Sequence, residues 1–196
     1  REFFVADTNH KFIISDYSQI ELRVLAHLSS DKNMIEILSS FDSDIHTETA
    51  SRIFHVGINS VTKEMRRKAK EVNFGLIYGM EAFGLSKSLD ISKSESQDLI
   101  DSYFSQFPKV KGFLDTIVLD AEKNGYSKTL YGRKRNIKEL ASSNFQLKAM
   151  GKRIAMNAPI QGTAADIMKI AMLKLQSKIS PIQSTDILLQ IHDEII

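Results

Sequence analysis

The amino-acid sequence predicts a helix-rich α+β fold, in which a small antiparallel sheet is interrupted by a helical insertion. Three observations predict it. Phe12-Ile13-Ile14 is a short apolar run that reads as a buried strand ending at Asp16. Residues 187–191 form a second such run, followed by His192-Asp193-Glu194 and the start of a third. Most of the chain between them carries apolar residues at helical spacing, with no internal repeat, low-complexity tract or flexible linker.

The elements follow in order. Ile20, Val24 and Leu28 recur at helical spacing over residues 19–28. Asp42, Ser43 and Asp44 offer an N-cap for a helix to about residue 54. A long helix spans residues 62–78. Ser92 and Glu95 form a capping box, and Leu99, Ile100, Tyr103 and Phe104 stripe the helix behind it. Pro108 suits the first turn of the next helix, which ends at Asn124-Gly125. Residues 129–137 read as a hairpin pivoting near Gly132. Helices over 143–157 and 163–180 are expected to be separated by Pro159 and stopped by Pro181.

Composition bounds the function. The 196 residues are 42% hydrophobic and 26% charged, with a net charge of +2, which excludes a disordered or fibrous chain. Zero cysteines exclude disulfides, Cys-ligated zinc and a thiol nucleophile. No apolar run is long enough to cross a bilayer, and nothing at the N-terminus reads as a signal peptide, so a cytoplasmic protein is expected. A monomer is the accompanying expectation. A first residue other than Met and an end inside an apolar run suggest an excised piece.

The small net charge hides an asymmetry. Residues 1–60 carry 5 basic and 9 acidic side chains, residues 61–160 carry 18 and 11, and residues 161–196 carry 3 and 4. Basic clusters flanked by acidic ends suit a polyanion held near carboxylates, although solvated helix faces give the same pattern. Asp16 at a strand end and Asp193-Glu194 in a turn gather acids at one sheet edge. Hard divalent cations such as Mg²⁺ want such oxygen ligands, and ordinary turn chemistry also uses them.

The strongest signal lies in residues 62–79. Arg66, Lys70, Phe74 and Tyr78 recur every fourth residue and share one helix face, while Met65, Ala69, Val72 and Leu76 share another. Two cations followed by two rings match the polarity of a nucleoside triphosphate. An amphipathic helix with core rings fits the same spacing. Gly79 to Ser86 nearly spells a phosphate-binding loop, but Leu85 stands where its lysine must be, and no strand precedes it. Arg153, Asn157 and Gln161 are all side-chain donors at spacings of four, suited to the acceptors every base pair offers in the minor groove.

In order along the chain, these segments resemble a known family. Asp16-Tyr17-Ser18-Gln19-Ile20-Glu21-Leu22-Arg23 resembles motif A of the family A DNA polymerases, the bacterial DNA polymerase I type. Arg66-x-x-x-Lys70-x-x-x-Phe74-x-x-x-Tyr78-Gly79 resembles motif B, and His192-Asp193-Glu194 motif C. Thr129-Leu130-Tyr131-Gly132-Arg133 and Gln161-Gly162-Thr163-Ala164-Ala165-Asp166 match as well. Lys138 and Lys152 depart from the family pattern, where Pro and Glu are usual, and make the nucleic-acid side more basic.

The resemblance implies a fingers insertion within an incomplete palm. Residues 1–30 would be palm with motif A, 31–125 fingers, and 126–196 a return to palm, with the thumb absent. It implies template-directed transfer of dNTPs to a primer 3′-hydroxyl, with two Mg²⁺ ions as cofactor and primer–template DNA as partner. Asp16, Asp193 and the Tyr17 carbonyl would be metal ligands, with Glu194 a less direct acid. Arg66 and Lys70 would bind the triphosphate, and Lys70 could protonate pyrophosphate. Phe74 would pack on the sugar, Tyr78 near the template base, and Gln19 beside the nucleotide. Glu21 would crowd a ribose 2′-hydroxyl. Arg153, Asn157 and Gln161 would meet the minor groove, Arg133 the backbone and His192 the primer end.

Two alternatives remain at this point. A single-subunit RNA polymerase shares the carboxylates and the Arg–Lys–Tyr helix, but Glu21, Phe74 and Glu194 argue against it. A non-catalytic DNA-binding module would use the basic clusters alone.

Overall fold

The computed structural model describes residues 5–40, 43–182 and 185–196. The fold is α+β and helix-rich, with two small antiparallel sheets. It divides into two compact units, one made of the chain ends (up to Ile20 and from Ala164) and one of Glu21–Thr163.

The first unit holds a three-stranded sheet. Strand β1 (Ser15–Asp16) pairs with β5 (Glu194–Ile195), which pairs with β4 (Gln190–Ile191), all antiparallel. A small antiparallel sheet built from the two chain ends matches the sequence reading, but its strands are shorter than the apolar runs. Phe12, Ile13 and Ile14 precede β1 and are 39%, 75% and 52% exposed, so the expected buried strand is an exposed approach to a two-residue strand. An apolar run becomes a strand only where a partner backbone lies beside it, and here Ile195 and Glu194 are the paired positions.

The second unit begins with α1 (Ile20–Ser29), α2 (Lys32–Ser39) and α3 (Ile45–Ile53). Helix α2 was not expected, although Met34, Ile37 and Leu38 give it an apolar stripe. Buried Asp31 starts it, accepting from the Met34 N–H at 3.1 Å. The same carboxylate accepts from the Lys109 N–H at 3.0 Å, so it also serves the first turn of α7 (Pro108–Asn124). Asp44 caps α3, while Asp42 lies outside the described residues.

Helix α4 (Lys63–Ile77) is capped by Thr62, whose side chain accepts from Met65 N–H. Helix α5 (Ala82–Leu89), also unexpected, buries Ala82, Leu85 and Leu89. Helix α6 (Lys93–Gln106) starts at Ser92, which accepts from the Glu95 N–H, while the Glu95 carboxylate pairs with Lys68 of α4. Helix α7 stops at Gly125 with φ of 76°, as the sequence predicts. The hairpin pairs β2 (Tyr126–Lys128) with β3 (Lys134–Asn136) around Gly132 at φ 84°.

A second expectation is overturned. The two helices expected on either side of Pro159 are one helix, α8 (Phe145–Ile179), with the proline inside. Proline removes the N–H that would bond the carbonyl four residues back, that of Ala155. Here Ser127 of β2 is buried and its hydroxyl donates to that Ala155 carbonyl at 3.2 Å. The orphan acceptor is thus satisfied from another element, and the helix continues. Ala155 also packs in a core cluster with Val118, Ala121, Ile137 and Leu140.

Candidate active site

In the first unit, the β1–β5 register sets Asp16 directly opposite Glu194. Such residues share one sheet face, and like charges so placed repel. The Tyr17 N–H donates to the Asp193 carbonyl at 3.0 Å, which pins the backbone after Asp16 to the turn that carries Asp193. Glu194 is buried, whereas Asp16 and Tyr17 are exposed. His192 sits at φ 57° in the turn, and its carbonyl accepts from Gln190 Nε2 at 2.6 Å. Gln19 turns the chain from β1 into α1 at φ 55°. The chain thus gathers Asp16, Tyr17, Asp193 and Glu194 at one edge of one sheet. Among the described residues, no three acidic or imidazole groups close into a protein-only metal cage. The donor set fits Mg²⁺, which takes one or two carboxylates and fills the remaining positions with water and substrate phosphates.

In the second unit, α4 is two-faced. Ala69 and Val72 are fully buried and Leu76 nearly so, while Arg66 and Lys70 are exposed. Phe74 and Tyr78 stack one turn apart, with ring centroids 6.5 Å apart and planes at 22°. The Tyr78 hydroxyl donates to Glu21 Oε2 at 2.8 Å, and Gln161 of α8 also hydrogen-bonds it. Burial, then the Glu21 hydrogen bond and charge, push the Tyr78 phenol up to about 12. It therefore stays protonated throughout the neutral range.

Arg66 is engaged by a residue the sequence reading treated only as a cap. Its Nε and Nη2 donate to the two oxygens of Asp44 at 2.5 and 3.2 Å. Asp44 also accepts from the His46 N–H at 3.2 Å and the Thr47 hydroxyl at 2.5 Å. Partial burial works to raise its pKa, but the Arg66 and Thr47 hydrogen bonds, the Arg66 charge and the His46 N–H hold it at about 2.

His46 and Asn73 also escaped the sequence reading. His46 is buried, with its ring 5.6 Å from that of Phe74. Asn73, fully buried inside α4, sets its amide nitrogen 3.1 Å from His46 Nδ1 and 3.2 Å from the Thr49 hydroxyl. With the amide donating, Nδ1 accepts and the imidazole proton sits on Nε2. Burial depresses the His46 pKa, opposed by the Asp44 charge and aided by the charges of Arg66 and Lys70. The available signal was a histidine two positions after a helix cap, which is weak until α3 packs against α4.

The remaining donors are spread over the hairpin and α8. Arg133 Nη2 donates to the Gly162 carbonyl at 2.9 Å, and the Leu130 N–H to the Thr163 hydroxyl at 3.0 Å. Arg153, Asn157 and Gln161 follow at spacings of four along α8. Arg153 lies against Gly79, where φ is +67° and a Cβ would come within 2.9 Å of the arginine Cγ. Lys152 pairs with Glu122 at 3.5 Å.

Comparison with known proteins shows the family. All of residues 1–196 match the sequence profile of DNA polymerase family A. The chain is 47% identical over 197 residues to DNA polymerase I of Caldicellulosiruptor bescii, which covers 100% of the chain and 23% of that protein. It is 48% identical over 198 residues to DNA polymerase I of Bacillus subtilis, 100% of the chain and 22% of the relative. The chain therefore spans less than a quarter of the length of these relatives. Among solved structures, the polymerase domain of Pol1 from M. smegmatis, in complex with DNA primer-template and dNTP, is 45% identical. It superposes with a TM-score of 0.88 over 93% of this chain and 32% of that one. With the match running from the first residue to the last, through both units, the chain belongs to DNA polymerase family A.

Proposed function

We propose that this chain carries the nucleotide-binding and cation-binding parts of a DNA-directed DNA polymerase, a nucleotidyltransferase that adds dNTPs to a primer 3′-hydroxyl on a DNA template. The observation that carries the reading is the outer face of α4, where exposed Arg66 and Lys70 lead into the stacked rings of Phe74 and Tyr78. Phosphates suit the cationic end, by a planar fork at Arg66 and a point charge at Lys70. Sugar and base suit the aromatic end.

In this reading, Arg66 and Lys70 bind the triphosphate, with Phe74 against the sugar and Tyr78 near the template base. His46, neutral and protonated on Nε2, adds a donor beside them. Glu21, tethered by the Tyr78 hydroxyl, crowds the position of a 2′-hydroxyl and favours dNTPs. Asp16, Asp193 and the Tyr17 carbonyl would hold two Mg²⁺ ions, with Glu194 adding charge nearby and Gln19 beside the nucleotide. Bound there, the ions would supply positive charge for an in-line phosphoryl transfer. The primer 3′-hydroxyl gives up its proton to solvent as its oxygen bonds to the α-phosphorus, the bond from that phosphorus to the bridging β-phosphate oxygen breaks, and Lys70 gives a proton to the departing pyrophosphate. Arg153, Asn157 and Gln161 contact the primer–template minor groove, Arg133 its backbone, and His192 the primer end.

The three segments 1–30, 31–125 and 126–196 take the roles of palm, fingers and returning palm. Among the described residues no helix is long and apolar enough to cross a membrane. We assign a monomer acting in the cytoplasm, where template and dNTPs are found. Single-nucleotide primer extension with Mg²⁺ tests the reading, comparing dNTP with NTP and using Asp193→Asn as control. Template-dependent dNTP addition that disappears in the control is the expected result. Metal-independent, salt-sensitive DNA binding without turnover would overturn it in favour of a binding module.

A further inference from the structure

We infer that Asp44 is a positioning residue for the nucleotide: it fixes the Arg66 guanidinium so that the edge left free is presented to the triphosphate. This rests on the reading of α4 as the triphosphate-binding face.

The geometry is specific about which edge is used. Asp44 takes the Nε and Nη2 hydrogens of Arg66 at 2.5 and 3.2 Å. A guanidinium has five N–H donors in a rigid plane. Two are committed, and the Nη1 pair together with the second Nη2 hydrogen remains, an end-on fork of the shape phosphate oxygens accept. The Arg66 side chain is still 47% exposed, and among the described residues its side-chain hydrogen bonds are the two to Asp44. The carboxylate itself is anchored from behind. The His46 N–H and the Thr47 hydroxyl, both from the first turn of α3, hold it at 3.2 and 2.5 Å. Asp44 is therefore the fixed partner and Arg66 the one that is placed. A long arginine otherwise loses considerable rotamer freedom when it binds a phosphate, and a prepositioned one has already lost it on folding.

Two opposite signs make the inference testable. If Asp44 acted only through its charge, removing that charge beside an anion site would tighten nucleotide binding. Prepositioning predicts the reverse. Asp44→Ser is the informative variant, because serine is also a strong N-cap and keeps the start of α3 intact. Isothermal titration of the 196-residue chain with dATP and with inorganic tripolyphosphate, in Mg²⁺, gives the readout, alongside thermal unfolding. Expected is an affinity about fivefold weaker for both probes in Asp44→Ser, a smaller loss in Asp44→Asn, and a Tm lowered by only about 2–4 °C in Asp44→Ser, so that the chain stays folded. In an Arg66→Ala background the same Asp44→Ser change should have no further effect. Unchanged or tighter binding in Asp44→Ser, with Arg66→Ala still weakened, overturns the inference alone. Arg66→Ala binding as well as the parent overturns the reading of α4 and this inference with it.

Discussion

The Tyr78 hydroxyl donates to the Glu21 carboxylate at 2.8 Å across 57 residues of sequence, tying the end of α4 to the start of α1. Gln161 reaches the same hydroxyl from α8. A carboxylate proposed to reject a 2′-hydroxyl must be held in place, because a mobile one can step aside. Tyr78→Phe keeps the ring stacked on Phe74 and removes the Glu21 tether together with the Gln161 contact. We expect dNTP-over-NTP discrimination to fall about tenfold in Tyr78→Phe and further in Glu21→Ala, one hydrogen bond to a charged group being worth about 1.5–3 kcal/mol. Primer extension with matched dNTP and NTP measures the ratio. Unchanged discrimination in Glu21→Ala would sink the gate.

Asp44 titrates at about 2, below its ordinary 3.8. A carboxyl with a depressed folded-state pKa contributes stability that is present above the unfolded value and lost as pH falls through the folded one. The window is therefore from about pH 4 down to about 2. Partial exposure of both partners screens the pair, so the contribution is about 1 kcal/mol. Urea unfolding between pH 5 and 2 should show a shallower acid loss in Asp44→Ser than in the parent. Parallel curves would contradict the assignment.

The Ser127 hydroxyl is proposed to let α8 run through Pro159. Ser127→Ala leaves a buried Ala155 carbonyl without its donor, at a cost of about 1–3 kcal/mol. Pro159→Ala restores a backbone N–H that can reach the same carbonyl. In that background Ser127→Ala should cost much less, giving a coupling energy of about 1 kcal/mol in a double-mutant cycle. Additive effects would mean that the hydroxyl and the missing N–H are unrelated.

These cases separate what was legible from what was not. Signals confined to one element could be read directly: Thr62 capping α4, Gly125 ending α7, and the four-residue spacing that sets Arg66 and Tyr78 on one face. Signals needing a second element could not. Nothing near Pro159 announces Ser127, which lies 28 residues before Ala155. Asp44 and Arg66 are 22 residues apart and meet only when α3 packs on α4, which is why Asp44 read as a cap and nothing more. His46 became visible by the same packing, through Asn73. The run Phe12-Ile13-Ile14 misled in the other direction, since hydrophobicity signals a wish for burial and not the presence of a covering element.

The role proposed for Asp16 sets function against stability. Two carboxylates directly opposite on an antiparallel pair repel, and a sheet selected only for stability would not place them so. A divalent cation reverses the sign of that interaction. Added Mg²⁺ should therefore raise the Tm of the parent chain by mass action on the folded state. Asp16→Asn removes one charge of the pair and should lose most of that Mg²⁺-dependent gain. The same variant should abolish nucleotide incorporation and leave DNA affinity within about twofold, because the proposed DNA contacts lie on the hairpin, α8 and His192, which it does not alter. EDTA should reproduce the loss of incorporation in the parent and change nothing further in Asp16→Asn. A Tm response to Mg²⁺ that persists in Asp16→Asn would move the cation site away from β1 and take the proposed role of Asp16 with it.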